Sequence, residues 1–104
     1  MTLERVCSIH DLPDGEVRSF DLGSVRIALA HIGDSFFAIG DRCTHQDVSL
    51  ADGELHAGSR ELECPKHGSC FSFETGVPNS LPATKAVPTY VVRIDDADVF
   101  VEID

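Results

Sequence analysis

No stretch of this sequence approaches the roughly 18 consecutive apolar residues that a membrane-spanning helix needs. The opening residues MTLERVCSIHDLPDGE contain no apolar run behind a basic start, so no secretion signal is read and a cytoplasmic location is expected. Basic residues are scarce. Eight Lys and Arg stand against eighteen Asp and Glu, for a formal charge of −10. Nucleic acid and anionic lipid, both polyanions, are therefore poor partners. A basic protein surface is a suitable one, although the acidity serves solubility equally well. No segment keeps an i, i+3, i+4, i+7 apolar stripe over three turns, which argues against long amphipathic helices. Repeats, linkers and low-complexity tracts are missing too. No nucleophile is paired with a base, and no substrate pocket is readable, so the chain is not read as an enzyme on its own.

What is present is a short globular chain. Its 104 residues argue for one domain, and the 42% apolar content for a packed one. A chain of this size buries only about two-thirds of its unfolded surface, so a bound cofactor would help the fold. The pattern is strand and turn throughout, and the expected class is all-β. Candidate strands run from Glu4 to Cys7, Glu16 to Asp21, Val25 to His31, Ser35 to Ile39, Thr89 to Ile94 and Val99 to Ile103. Leu12-Pro13-Asp14-Gly15 has turn chemistry, Gly33-Asp34 suits a tight hairpin, and Asp95 to Asp98 reads as a second hairpin. Val25, Ile27 and Leu29 alternate with Arg26 and Ala28, which predicts a half-buried strand. Phe36 to Ile39 is apolar on both sides, as in a more covered one. Between Gly40 and Pro88 the chain is instead rich in turns, cysteine and histidine, which suggests a site carried on a β scaffold.

Four cysteines in a cytosolic chain favour metal ligands or buried thiols over disulfides. Two of them have a histidine close behind, in Cys43-Thr44-His45 and Cys64-Pro65-Lys66-His67, with eighteen residues between the segments. Each segment offers one thiolate and one imidazole. Two such pairs suit a two-metal cluster better than one ion, because thiolates favour iron–sulfur chemistry and imidazole suits iron or zinc. Replacing two cysteines by two histidines on one iron of a [2Fe–2S] cluster gives this inventory. A structural zinc site also takes two Cys and two His, but it usually pairs Cys with Cys and His with His. Cys7 and Cys70 lack a following histidine and read as small core residues, Cys70 with its side chain inward. His10, His31 and His56 read as surface residues. Gln46 and Lys66 flank the ligand candidates and are suited to a docking face.

The paired motif resembles that of the Rieske family, Cys-x-His followed by Cys-x-x-His, here CTHQDVSL and CPKHGSCF. Leu50, Gly53, Gly68, Phe71, Phe73 and Gly76 stand at matching places, and Asn79-Ser80-Leu81-Pro82-Ala83 resembles the family's cluster-covering loop. The resemblance implies an antiparallel β sandwich or barrel with a cluster-binding subdomain inserted between strands. That subdomain would span about residues 40–83, on a basal β subdomain of 1–39 and 84–104. It implies one [2Fe–2S] cluster, with Cys43 and Cys64 on the inner iron and His45 and His67 on the outer. Pro65 would stiffen the second loop and Gly68 would let it pass close to the cluster.

Val48 and Lys66 occupy the places of the cysteine pair found in respiratory members, so that disulfide cannot form. Ser69 keeps a hydroxyl found in high-potential members, whereas Phe71 stands in place of their tyrosine. The remaining implication is a soluble ferredoxin of a bacterial multicomponent oxygenase. It would accept electrons from a flavin-containing, NAD(P)H-dependent reductase and pass them singly to a terminal ring-hydroxylating oxygenase acting on aromatic compounds. A monomer is the simplest state for a carrier that docks twice. A small subunit of another reductase, such as nitrite reductase, and a zinc-stabilised binding module are the alternatives.

Overall fold

A computed structural model describes residues 2–23, 25–42, 48–66, 68–79 and 85–103. In chain order the strands are β1 (Thr2–Ser8), β2 (Val17–Asp21), β3 (Arg26–Ile32), β4 (Ser35–Gly40), β5 (Leu55–His56), β6 (Glu61–Glu63), β7 (Cys70–Ser72), β8 (Thr89–Tyr90), β9 (Val92–Asp95) and β10 (Asp98–Ile103). A single 3₁₀ turn, Leu50–Asp52, precedes β5, and no α-helix occurs among the described residues. The strands pair antiparallel in three sheets, ordered β1-β10-β9, β2-β3-β4-β8 and β5-β6-β7. The all-β antiparallel class expected from the sequence is the class observed, and the sheet β5-β6-β7 is inserted between β4 and β8.

The second sheet lies between two cores. Ile27 and Leu29 of β3 and Ala38 of β4 face a core with Cys7, Leu12, Val99, Val101 and Ile103. Ala28, Ala30 and Ile39 face the other, with Leu50, Leu62, Cys64, Phe71, Phe73 and Val87. Ile27 to Ala30 are therefore buried without a break, which corrects the half-buried reading of β3. The alanines are not a solvent face. They are small residues under a second layer, as in a strand covered on both sides. The covered reading of β4 agrees with the structure.

The hairpins form where their turns are. Ile32 pairs with Ser35 across Gly33-Asp34, and Gly33 takes φ +63°. Asp95 pairs with Asp98 across Asp96-Ala97. The expected strand from Thr89 to Ile94 is in fact two. Thr89 and Tyr90 pair with β4, Val92 to Asp95 pair with β10, and the exposed Val91 is where the chain changes sheet. A strand that switches sheets makes a corner of this kind. The sheet β5-β6-β7 keeps strict alternation. Leu55, Leu62 and Phe71 lie in one cross-strand row and pack in or against the core beside β3 and β4. His56, Glu61, Glu63, Cys70 and Ser72 occupy the opposite face.

Candidate metal centre

The second ligand segment is the connection between β6 and β7. Its ends are tied by the backbone N–H of Cys64 donating to Ser69 O at 2.7 Å, and by that of Gly68 donating to Cys64 O at 3.1 Å. Gly68 takes φ +79°, a conformation that costs glycine nothing and a side-chain-bearing residue about 1 kcal/mol or more. Cys64 is 2% exposed and Ser69 1%, so a thiol and a hydroxyl are held at the base of a tight turn. Pro65 and Lys66 lie exposed on it. His67 lies outside the described residues. Gly53 brings the preceding segment against this turn: a Cβ there would fall 1.7 Å from Glu63 O and 3.2 Å from Pro65 Cδ.

The first ligand segment leaves the scaffold at Arg42 and rejoins it at Val48. Cys43 and His45, with Thr44, Gln46 and Asp47, lie outside the described residues. Arg42 and Ser49 form an antiparallel bridge. Beside them Asp41, only 2% exposed, accepts the Ser49 hydroxyl at 2.6 Å and the Ala51 N–H at 3.0 Å. Arg26 Nε lies 3.4 Å from the same carboxylate, and Leu50 N–H donates to the Asp41 carbonyl. A buried carboxylate persists only when so paired. Sequence reasoning passed over Asp41, although its place just before Arg42-Cys43 and the hydroxyl at Ser49 together bracket the segment.

The expected covering segment also falls largely outside the described residues, at 80–84. Asn79 donates its N–H to Cys70 O at 2.8 Å and its side-chain amide to Glu61 at 2.7 Å. On the far side, Val87 N–H donates to Gly76 O at 2.9 Å. Leu50, Cys64, Phe71 and Val87 belong to one core, so the anchor points of all three segments rest on the same packed layer.

The remaining cysteines and histidines separate clearly. Cys7 is buried as expected, and burial pushes its thiol upward, with Asp11 adding to the effect. Cys70 does not point inward. Its neighbour Phe71 fills the core, and Cys70 lies on the opposite face, half-buried. Partial burial and then Glu61, Glu63 and Glu54 push its thiol upward. His56 shares that face. A hydrogen bond to Glu63 raises its pKa above the ordinary histidine value. His31 is half-buried rather than on the surface, stacked on Phe36 with Nδ1 2.7 Å from Leu12 O. His10 is exposed.

The described donor chemistry fits an iron–sulfur group. Cys64 offers a soft thiolate at a glycine-relieved turn whose backbone stands close to it, and the first segment has the same Cys-then-His composition. Residues 2–91 match the family model described as the Rieske [2Fe-2S] domain. The 3-phenylpropionate/cinnamic acid dioxygenase ferredoxin subunit of Escherichia coli (strain K12) is 38% identical over 97 residues, covering 93% of this chain and 90% of that protein. The ferredoxin of carbazole 1,9a-dioxygenase from Nocardioides aromaticivorans IC177 superposes with a TM-score of 0.93 at 35% identity, over 97% of both chains. A chain from a complex of reduced oxygenase and oxidized ferredoxin in carbazole 1,9a-dioxygenase gives 0.86 at 34%, over 95% of this chain and 91% of that one.

Proposed function

We propose that this chain, which belongs to the Rieske [2Fe–2S] family, is the ferredoxin of a multicomponent ring-hydroxylating oxygenase. It accepts single electrons from a flavin-containing, NAD(P)H-dependent reductase and delivers them to the terminal oxygenase, in the cytoplasm and as a monomer. The observation that carries this reading is the near full-length likeness to two dioxygenase ferredoxins, in both sequence and fold. The cluster, when bound, supplies a one-electron redox couple. Its ligands are Cys43 and Cys64 on one iron and His45 and His67 on the other. Residues from about 40 to 83 carry it, on the β scaffold formed by the rest.

The chain's own residues prepare that site. The N–H of Cys64 and the N–H of Gly68 close the second segment, so the Cys64 thiolate is delivered in a fixed position with water kept away. The Asp41 carboxylate ties down the chain on the far side of the first segment, at Ser49 and Ala51, next to Leu50 of the core that also holds Cys64. No substrate chemistry is assigned to this chain. Its work is to hold an electron and present it.

The test is reconstitution. Purified protein should be red-brown with two irons per chain, where a zinc-stabilised module would be colourless. It should restore electron flow from an NAD(P)H-reduced flavoprotein to a ring-hydroxylating oxygenase. Cys64→Ser should lose the iron, and Cys7→Ser and Cys70→Ser should keep it. Iron lost from either of the last two at normal folding yield would overturn the ligand set.

A further inference from the structure

The outer face of the sheet β5-β6-β7 carries donor atoms that electron transfer does not use. His56, Glu63 and Cys70 come from three neighbouring strands. One ligand-capable atom from each lies within 4.8 Å of the other two. His56 Nε2 is 2.9 Å from Glu63 Oε1 and 3.5 Å from Glu54 Oε2, so a second carboxylate borders the group. We propose that His56, Glu63 and Cys70 form a second metal site, for Zn²⁺, with Glu54 as the fourth ligand.

The register places these residues together. Glu63 pairs directly with Cys70, and His56 pairs with Glu61, two residues along the same face of β6. The inward residues of the same strands, Leu55, Leu62 and Phe71, fix that register by packing in or against the core. The outer row is thus presented by a rigid base. Donor atoms around a tetrahedral zinc lie about 3.5 Å apart, given Zn–N near 2.0 Å and Zn–S near 2.3 Å. Half-buried side chains within 4.8 Å of one another reach that spacing by small rotamer changes.

The chemistry selects the ion. One thiolate and one imidazole with carboxylates suit Zn²⁺, whereas Mg²⁺ and Ca²⁺ want oxygen alone. Glu54, Glu61 and Glu63 raise the local affinity for any cation, the proton included. Binding displaces the Cys70 thiol proton to solvent and forms a sulfur–zinc bond with no change of oxidation state. None of the three residues is among the iron ligands proposed above. The Glu63–Cys70 pair is the last rung before the segment that carries Cys64, so zinc would clamp the base of that hairpin.

Calorimetric titration of the iron-loaded protein with zinc chloride, monitored also by its visible spectrum, tests this. One equivalent should bind, with the iron–sulfur absorption unchanged. His56→Ala and Cys70→Ser should each weaken binding roughly tenfold or more, while Glu74→Gln, on an exposed turn, should not. In the unsubstituted protein zinc should also slow alkylation of Cys70, a readout that needs no variant to fold. No binding, equal affinity in all variants, several weak equivalents, an alkylation rate indifferent to zinc, or bleaching of the iron–sulfur absorption would each overturn the proposal.

Discussion

A carboxylate with almost no solvent contact is tolerable only if its lone pairs are occupied, and those of Asp41 are. Replacing it by alanine leaves the Ser49 hydroxyl and the Ala51 N–H without their acceptor. Asp41→Ala should therefore cost about 3 kcal/mol in chemical denaturation and broaden the electron paramagnetic resonance of the iron-loaded protein. Asp41→Asn retains one acceptor oxygen and should recover much of both. A second pair of residues bears on the potential. Phe71 is fully buried in the core that contains Cys64, and Ser69 is 1% exposed beside it. A hydroxyl donating to a cluster sulfur favours the reduced, more negative state and raises the potential. With phenylalanine at 71 one such donor is missing. The potential should fall near the low end of the range of about −150 to +300 mV. Phe71→Tyr should raise it by tens of millivolts, Ser69→Ala should lower it, and voltammetry at neutral pH reads both. A value near the top of the range would instead favour the respiratory type. The four Cys and His ligand candidates stand out in the sequence because each Cys–His pair is local, although only Cys64 lies among the described residues. Asp41 does not stand out, since its partners lie eight and ten residues on and burial alone gives it a role.

At the level of elements, Gly53 lies where the 3₁₀ turn Leu50–Asp52 meets the end of β6 with no room for a side chain. Any side chain there would run into the Glu63 carbonyl, so the turn would have to move off the strand that leads to Cys64. Gly53→Ala should cost about 3 kcal/mol or more and lower the iron content. Gly58→Ala, where an added Cβ meets nothing within 4 Å, should be close to neutral. Denaturant midpoints and iron analysis distinguish the two. The same region explains what could be read along the chain. The β3–β4 and β9–β10 hairpins announce themselves through period-two patterning and local turn residues. Strands β5 and β6 are two and three residues long, and each contributes one leucine inward, too little for a period to register. Their existence is decided by packing under Phe71. The split at Val91 is equally tertiary, because its sequence continues as strand on both sides while its hydrogen bonds change sheet. Cys70 was misplaced for a related reason. With period two, reading Cys70 rather than Phe71 as inward reverses the whole row.

The whole molecule carries a net charge of −10, and four of its arginines are paired with its own carboxylates. Arg5, Arg18, Arg26 and Arg93 are each within 4 Å of a carboxylate on the same chain, at Asp98, Glu16, Asp41 and Glu102. Each pair cancels one charge of either sign and leaves the net charge at −10. An outward field of one sign steers a partner of opposite sign and repels copies of the same chain. If the docking faces of the reductase and oxygenase are basic, the second-order rate of electron transfer should fall severalfold as ionic strength rises from about 20 mM to about 300 mM. Over that range the screening length shrinks from roughly 20 Å to roughly 6 Å. The fall should appear in the bimolecular regime of stopped-flow reduction and vanish at saturating partner, where transfer within the complex is measured. Contact within the docked complex is short-ranged and insensitive to salt, so a saturated rate that also fell would point to a rearranged complex. A bimolecular rate flat across the whole range would mean that the acidity keeps the chain dispersed and takes no part in docking.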